Sequence, residues 1–154
     1  MTNKNSDLKT SLAKLEETLD LYLVKKAPFQ IPKNIKELLA KFGPWLMAIG
    51  IIFALPMILF ALGLGAVLAP FGILSGAGVG IGGIVGGVIL AISLVLEAMA
   101  LPGLFKRSKK GWDLLFYATL VNAVHSLITF NLGGLVIGSL ISLYILFQLK
   151  ELYK

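Results

Sequence analysis

The stretch that decides the fold runs from Trp45 to Leu101: WLMAIGIIFALPMILFALGLGAVLAPFGILSGAGVGIGGIVGGVILAISLVLEAMAL. It holds a single charge, Glu97. A spanning helix needs about 20 apolar residues to cross roughly 30 Å of hydrocarbon, so this run is too long for one span. Pro70-Phe71-Gly72 offers the turn that divides it. Two spans are expected, at about 45–69 and 74–101.

Moving outward, Lys106, Arg107, Lys109 and Lys110 form a basic knot, followed by Asp113. Leu114 to Leu149 is then uncharged and divides at Asn131-Leu132-Gly133-Gly134. This gives two more spans, at about 112–130 and 134–149. The expected fold is an all-α integral membrane protein: a four-transmembrane-helix bundle of two helical hairpins over residues 44–154, preceded by amphipathic interfacial helices over 1–43.

Composition agrees. The 154 residues are 57% hydrophobic and 14% charged, with a mean hydropathy of +0.89; a soluble domain carries about a quarter charged residues. The absence of cysteine excludes disulfides, thiolate nucleophiles and sulfur-ligated metals. One histidine leaves no His-rich metal cluster. No metal or cofactor is expected.

Basic residues fall on one side of this topology. Eight lysines precede Gly43, four basic residues lie in the middle loop and two close the chain, while the hairpin turns hold none. The positive-inside rule then places both termini and the middle loop in the cytoplasm, in a plasma or inner membrane. Trp45 and Trp112 begin spans on that side, where interfacial aromatics are common. The lysines are juxtamembrane and suit anionic headgroups better than nucleic acid. Lys106, Arg107, Lys109 and Lys110 are the candidate anionic-lipid contacts.

The first 43 residues do not resemble a signal peptide, because their apolar run starts too late. Leu8, Leu12, Leu15, Leu19 and Tyr22 recur at spacings of four and three, drawing a stripe down one helix face. Ser6 is the expected N-cap, and Pro28 and Pro32 break the chain. A second amphipathic stretch sets Ile35, Leu38, Leu39 and Phe42 opposite Lys33, Lys36 and Lys41. Both read as interfacial helices; a short coiled-coil seam is the alternative for the leucine stripe.

Seven glycines lie between Gly76 and Gly87. They form two rows at four-residue spacing: Gly78, Gly82 and Gly86, and Gly83, Gly87 and Ala91. Small residues four apart leave a groove that lets helix backbones approach in lipid. Gly134, Gly138 and Ser142 repeat the pattern on the fourth span. The packing is expected within one chain or between copies, with an unwound pore-lining segment as a third reading. Gly78, Gly80 and Gly83 formally match GxGxxG but lack the strand and crossover helix of a dinucleotide site.

The run GAGVGIGGIVGG, residues 76–87, resembles the glycine-rich helix of the rotary ATP synthase proteolipid ring subunit. In that family the proton-carrying carboxylate lies on the partner helix of a two-helix hairpin. Here Glu97 follows on the same expected helix, in a four-span chain, so the activity is not carried over.

Polar residues inside spans are functional candidates because charge in hydrocarbon is costly. Glu97 is expected near the interface, paired with Lys106, Arg107 or headgroup water, or else serving as a proton or cation site. Thr119, Asn122, His125, Ser126 and Thr129 follow i, i+3, i+6, i+7 and i+10, one helical face. That face is expected to hydrogen-bond Ser93, Ser139, Ser142 or backbone carbonyls, or to line a path for a small solute. No nucleophile and base stand together, so no enzyme is expected. The first functional expectation is an oligomerising structural or interaction subunit, as a homo-oligomer or with a membrane partner. The second is a channel or small carrier lined by the third-span polar face.

Overall fold

A computed structural model describes residues 3–61 and 81–154. Every regular element among them is helical. Helix α1 spans Asn3–Asp20 and ends in a π-helical turn, Leu21–Lys25. Helices α2 (Lys33–Ala61), α3 (Ile81–Phe105) and α4 (Lys109–Ile128) follow. A π-helical stretch, Gly134–Leu140, leads into α5, Ile141–Leu149, and a 3-10 turn, Lys150–Leu152. Three segments are long and apolar enough to cross a membrane: Lys33–Leu59, Gly86–Phe105 and Gly134–Leu152. Helix α4, expected as the third span, is not among them, since its 20 residues include Lys109, Lys110 and Asp113 as well as Asn122 and His125. The expected turn at Pro70-Phe71-Gly72, and Gly78 with it, lie outside the described residues.

The N-terminal segment differs from expectation in two ways. Ser6 lies inside α1 and not at its cap, and the Thr10 hydroxyl donates to its carbonyl at 2.8 Å. The second amphipathic stretch is the start of α2, which runs through Pro44 and Pro56 without interruption. The expected division between residues 43 and 44 therefore falls inside one helix. Pro32 ends the preceding loop, and its carbonyl accepts from the amides of Ile35 and Lys36 at 3.0 Å, which starts α2.

Around α4 the chain makes two turns of one kind. Arg107 has φ 52° and Phe130 φ 51°, the left-handed region. At the first turn, Ser108 N–H donates to Gly103 O and Arg107 N–H to Leu104 O, at 2.8 and 3.0 Å. At the second, Asn131 N–H donates to Ser126 O and Phe130 N–H to Leu127 O, at 2.8 and 3.2 Å. These are Schellman caps, which satisfy the last carbonyls of α3 and α4. Ser108 then caps α4 through its hydroxyl, and the Asn131 side chain accepts from Gly134 N–H at 2.9 Å to start the fourth segment.

The first turn brings α3 against α4 at Gly103 and Gly111. A Cβ on Gly111 would lie 2.4 Å from the Gly103 carbonyl carbon, and one on Gly103 would lie 2.6 Å from Gly111 Cα. No side chain fits at either position.

The core gathers at this same basic end. Trp112 is fully buried, stacked on Phe116 and edge-on to Phe147. Its indole N–H donates to Leu146 O at 2.8 Å, while Lys109 and Lys150 lie over its ring. Trp45 is exposed and edge-on to Phe105, whereas Trp112, also expected as an interfacial aromatic, is buried. Trp112 becomes core because Leu19, Leu23 and Val24, from α1 and its π-turn, cover this end of the bundle.

Candidate functional site

Helices α2, α3, α4 and the fourth segment line a half-open cavity of about 310 Å³. Leu39, Gly43, Pro44 and Met47 form one wall, and Leu146, Leu149 and Tyr153 close its basic end. Glu97, Thr119, Asn122 and Ser142 supply side-chain polarity. The volume sits at the lower end of the range for small-molecule pockets, about 300–1,000 Å³.

Asn122 donates through Nδ2 to Glu97 Oε1 at 3.5 Å, a long hydrogen bond between α4 and α3. Thr119 donates its hydroxyl proton to Leu115 O at 2.8 Å, within its own helix. Gly138, in the π-helical stretch, leaves the opposite wall open, since a Cβ there would meet nothing within 4 Å. On α2, Pro44 lacks the N–H that the Ala40 carbonyl would accept in a regular helix.

The structure separates the candidates that shared a face in the sequence. Thr119 and Asn122 turn to the cavity with Glu97. His125 packs instead against Gly86, where a Cβ would lie 3.4 Å from its Nε2. Ser126 is buried, and a Cβ on Gly134 would lie 3.1 Å from its hydroxyl oxygen. Thr129 donates to His125 O at 2.8 Å and finishes α4. Glu97 makes no ion pair with Lys106 or Arg107 among the described residues. The reason is length: α3 continues to Phe105, which sets Glu97 about 12 Å inside the helix end, and turns it towards α4.

The glycines divide likewise. Gly86 and Gly134 sit at side-chain contacts, Gly87 is buried, and Gly138 opens on the cavity beside Ser142. Gly82 and Gly83 lie in the first turn of α3.

The basic knot is also divided. Lys109 binds Asp113 and, at 3.3 Å, Glu16 of α1. Lys150 reaches Glu16 at 3.0 Å and Asp20 at 3.6 Å. Burial alone would raise the Glu16 carboxyl, but the Lys150 hydrogen bond and the Lys109 and Lys150 charges outweigh it, holding Glu16 below the ordinary carboxylate value. For Lys109, burial is likewise outweighed by Asp113 and Glu16, which hold its ammonium above the ordinary value. Lys109 is thus engaged inside the chain, leaving Lys106, Arg107 and Lys110 as the free cations of the knot among the described residues.

Several contributing residues carried no signal in the sequence. Gln148 is 1% exposed and donates through Nε2 to Leu23 O at 2.8 Å, a carbonyl in the π-turn after α1. Lys36, also buried, pairs with Glu151 at 2.8 Å and ties α2 to the closing turn. Gly103 and Gly111 were detectable in principle, as two glycines bracketing a short basic loop.

Compared with known proteins, the chain matches no family model, no curated protein and no solved structure.

Proposed function

We propose that this chain is a four-span membrane protein that binds a small solute in the Glu97–Asn122 cavity and carries it across the bilayer. The observation that carries the reading is the cavity itself: a carboxylate and a carboxamide face open space among apolar walls. A polar pair placed there only to join two helices would have no need of that space. In this reading α4 is the third span, its polar residues turned inward and its apolar flank, with Val124 and Leu127, towards lipid. The basic end faces the cytoplasm of a cell membrane, and Lys106, Arg107 and Lys110 meet anionic headgroups.

The oligomerising-subunit reading ranks second. The tightest glycine contacts among the described residues, Gly103 with Gly111 and Gly134 with Asn131, lie within one chain.

The test is reconstitution in liposomes, with flux measured for protons, monovalent ions and small amines. Gly138→Leu is the matched variant, because Gly138 lines the cavity and a Cβ there would meet nothing within 4 Å. Flux by the wild type that Gly138→Leu abolishes supports the proposal. No difference between the two proteins across the panel overturns it.

A further inference from the structure

Resting on the cavity reading above, we infer that the ligand is a monovalent organic cation, with the ammonium charge recognised by Glu97 and the organic part held by the apolar walls.

The argument is a count of hydrogen-bonding valences. Among the described residues, no lysine, arginine or histidine lines the cavity. The Thr119 hydroxyl proton is spent on Leu115 O, so its oxygen offers only lone pairs. Asn122 directs one N–H at Glu97, which leaves its carbonyl oxygen as an acceptor and one N–H as a donor, and the Ser142 and Tyr153 hydroxyls can act as either. Glu97, when ionised, accepts only. The lining thus carries one negative charge and, among the described residues, no positive one. An anion would meet that charge with no cation to answer it. A neutral apolar molecule would leave a carboxylate facing hydrocarbon, which is costly.

Apolar surface decides between an inorganic ion and an organic one. Leu39, Met47, Leu115, Ile145, Leu146 and Leu149 make up most of the wall. A small metal cation needs six or more oxygen ligands or retained waters, and these side chains provide neither. A protonated tertiary amine carrying a small apolar group satisfies both parts of the site, its N–H donating to the acceptors.

The test uses three probes of similar size on the purified full chain: benzyldimethylammonium, its neutral isostere isobutylbenzene, and phenylmethanesulfonate. Saturation-transfer NMR is recorded on the wild type, Glu97→Gln and Gly138→Leu, and the Gly138→Leu signal subtracts partition into detergent. The expected result is cavity binding of benzyldimethylammonium that weakens roughly ten- to a hundredfold in Glu97→Gln, the range for losing a hydrogen bond to a charged group. Isobutylbenzene should be indifferent to that change. Thermal unfolding of Glu97→Gln checks its fold. Should that variant fail to fold, the near-isosteric Thr119→Val carries the test: a severalfold loss for the cation alone supports the inference, and equal affinity overturns it. If the neutral or anionic probe fills the cavity as well as the cation, and Glu97→Gln changes none of them, the cation assignment falls while the cavity reading stands. If no probe distinguishes wild type from Gly138→Leu, the cavity reading itself falls.

Discussion

Replacing Gly111 by alanine places one methyl group where α3 and α4 touch. Its carbon would lie 2.4 Å from the Gly103 carbonyl carbon, 2.5 Å from Leu104 N and 2.7 Å from Gly103 Cα. Ordinary van der Waals contact begins near 3.4 Å, so the helices must separate by about an ångström. All three atoms are backbone, and no rotamer change relieves the clash. Overpacking of this kind costs about 1–3 kcal/mol, and the absence of a side-chain escape argues for the upper end. Alanine recovers up to about 1 kcal/mol of helix propensity, leaving a net loss of about 2 kcal/mol. For a chain of this length that lowers Tm by roughly 4–8 °C. Unfolding in detergent, followed by Trp112 fluorescence in a Trp45→Phe background, reads the contact directly because Trp112 is the next residue. Gly50→Ala is the control, since a Cβ there meets nothing within 4 Å; its Tm should hold or rise. Equal Tm values for the two variants would refute the close approach.

Three other outcomes are expected. Arg107→Gly should raise stability by about 1 kcal/mol, because a side chain at φ 52° carries left-handed strain that glycine lacks; the same thermal scan checks it. Trp112→Phe should lower stability by about 1–3 kcal/mol through loss of the buried hydrogen bond to Leu146 O, and chemical denaturation monitored by circular dichroism measures it. Docking of α1 should depend on acid: Glu16 is held below its ordinary value of 4.5, so its contribution is present above that pH and is lost as pH falls below it through the folded value. Spin labels at Ser11 and Lys110 should therefore show the helix moving away in acid, and Glu16→Gln should remove the dependence. The energy involved is within about 1 kcal/mol, because the pairs are partly exposed.

Much of the helical content was legible in the sequence, and the reasons for the failures are specific. The turn at Asn131 appeared where expected because asparagine and glycine have few other uses between apolar runs. The division expected between residues 43 and 44 lies inside α2, which also passes through Pro44. A proline removes one hydrogen bond, and packing of the buried Ala40 and Pro44 against the bundle holds the helix together around that gap. Trp112 followed the rule for span ends, but the rule cannot see a covering helix that arrives from nearly a hundred residues away. The Glu97–Asn122 pair joins residues 25 positions apart on different helices, beyond any spacing argument. The cavity was the least legible feature. It exists because Gly138, Gly43 and Pro44 leave room at one level, and they belong to separate elements.

The π-helical stretch from Gly134 to Leu140 means that the two ends of the fourth segment are indexed independently. A π-turn holds one more residue than an α-turn, and each residue added to or removed from an α-helix rotates everything beyond it by about 100°. At one end, Gly134 must meet Asn131 and Ser126; at the other, Leu146 must present its carbonyl to Trp112. The surplus in between acts as a phase adjuster, letting the capping end and the core end each keep their own angle. Shortening the stretch by one residue would preserve a helix and still misalign one of the two ends.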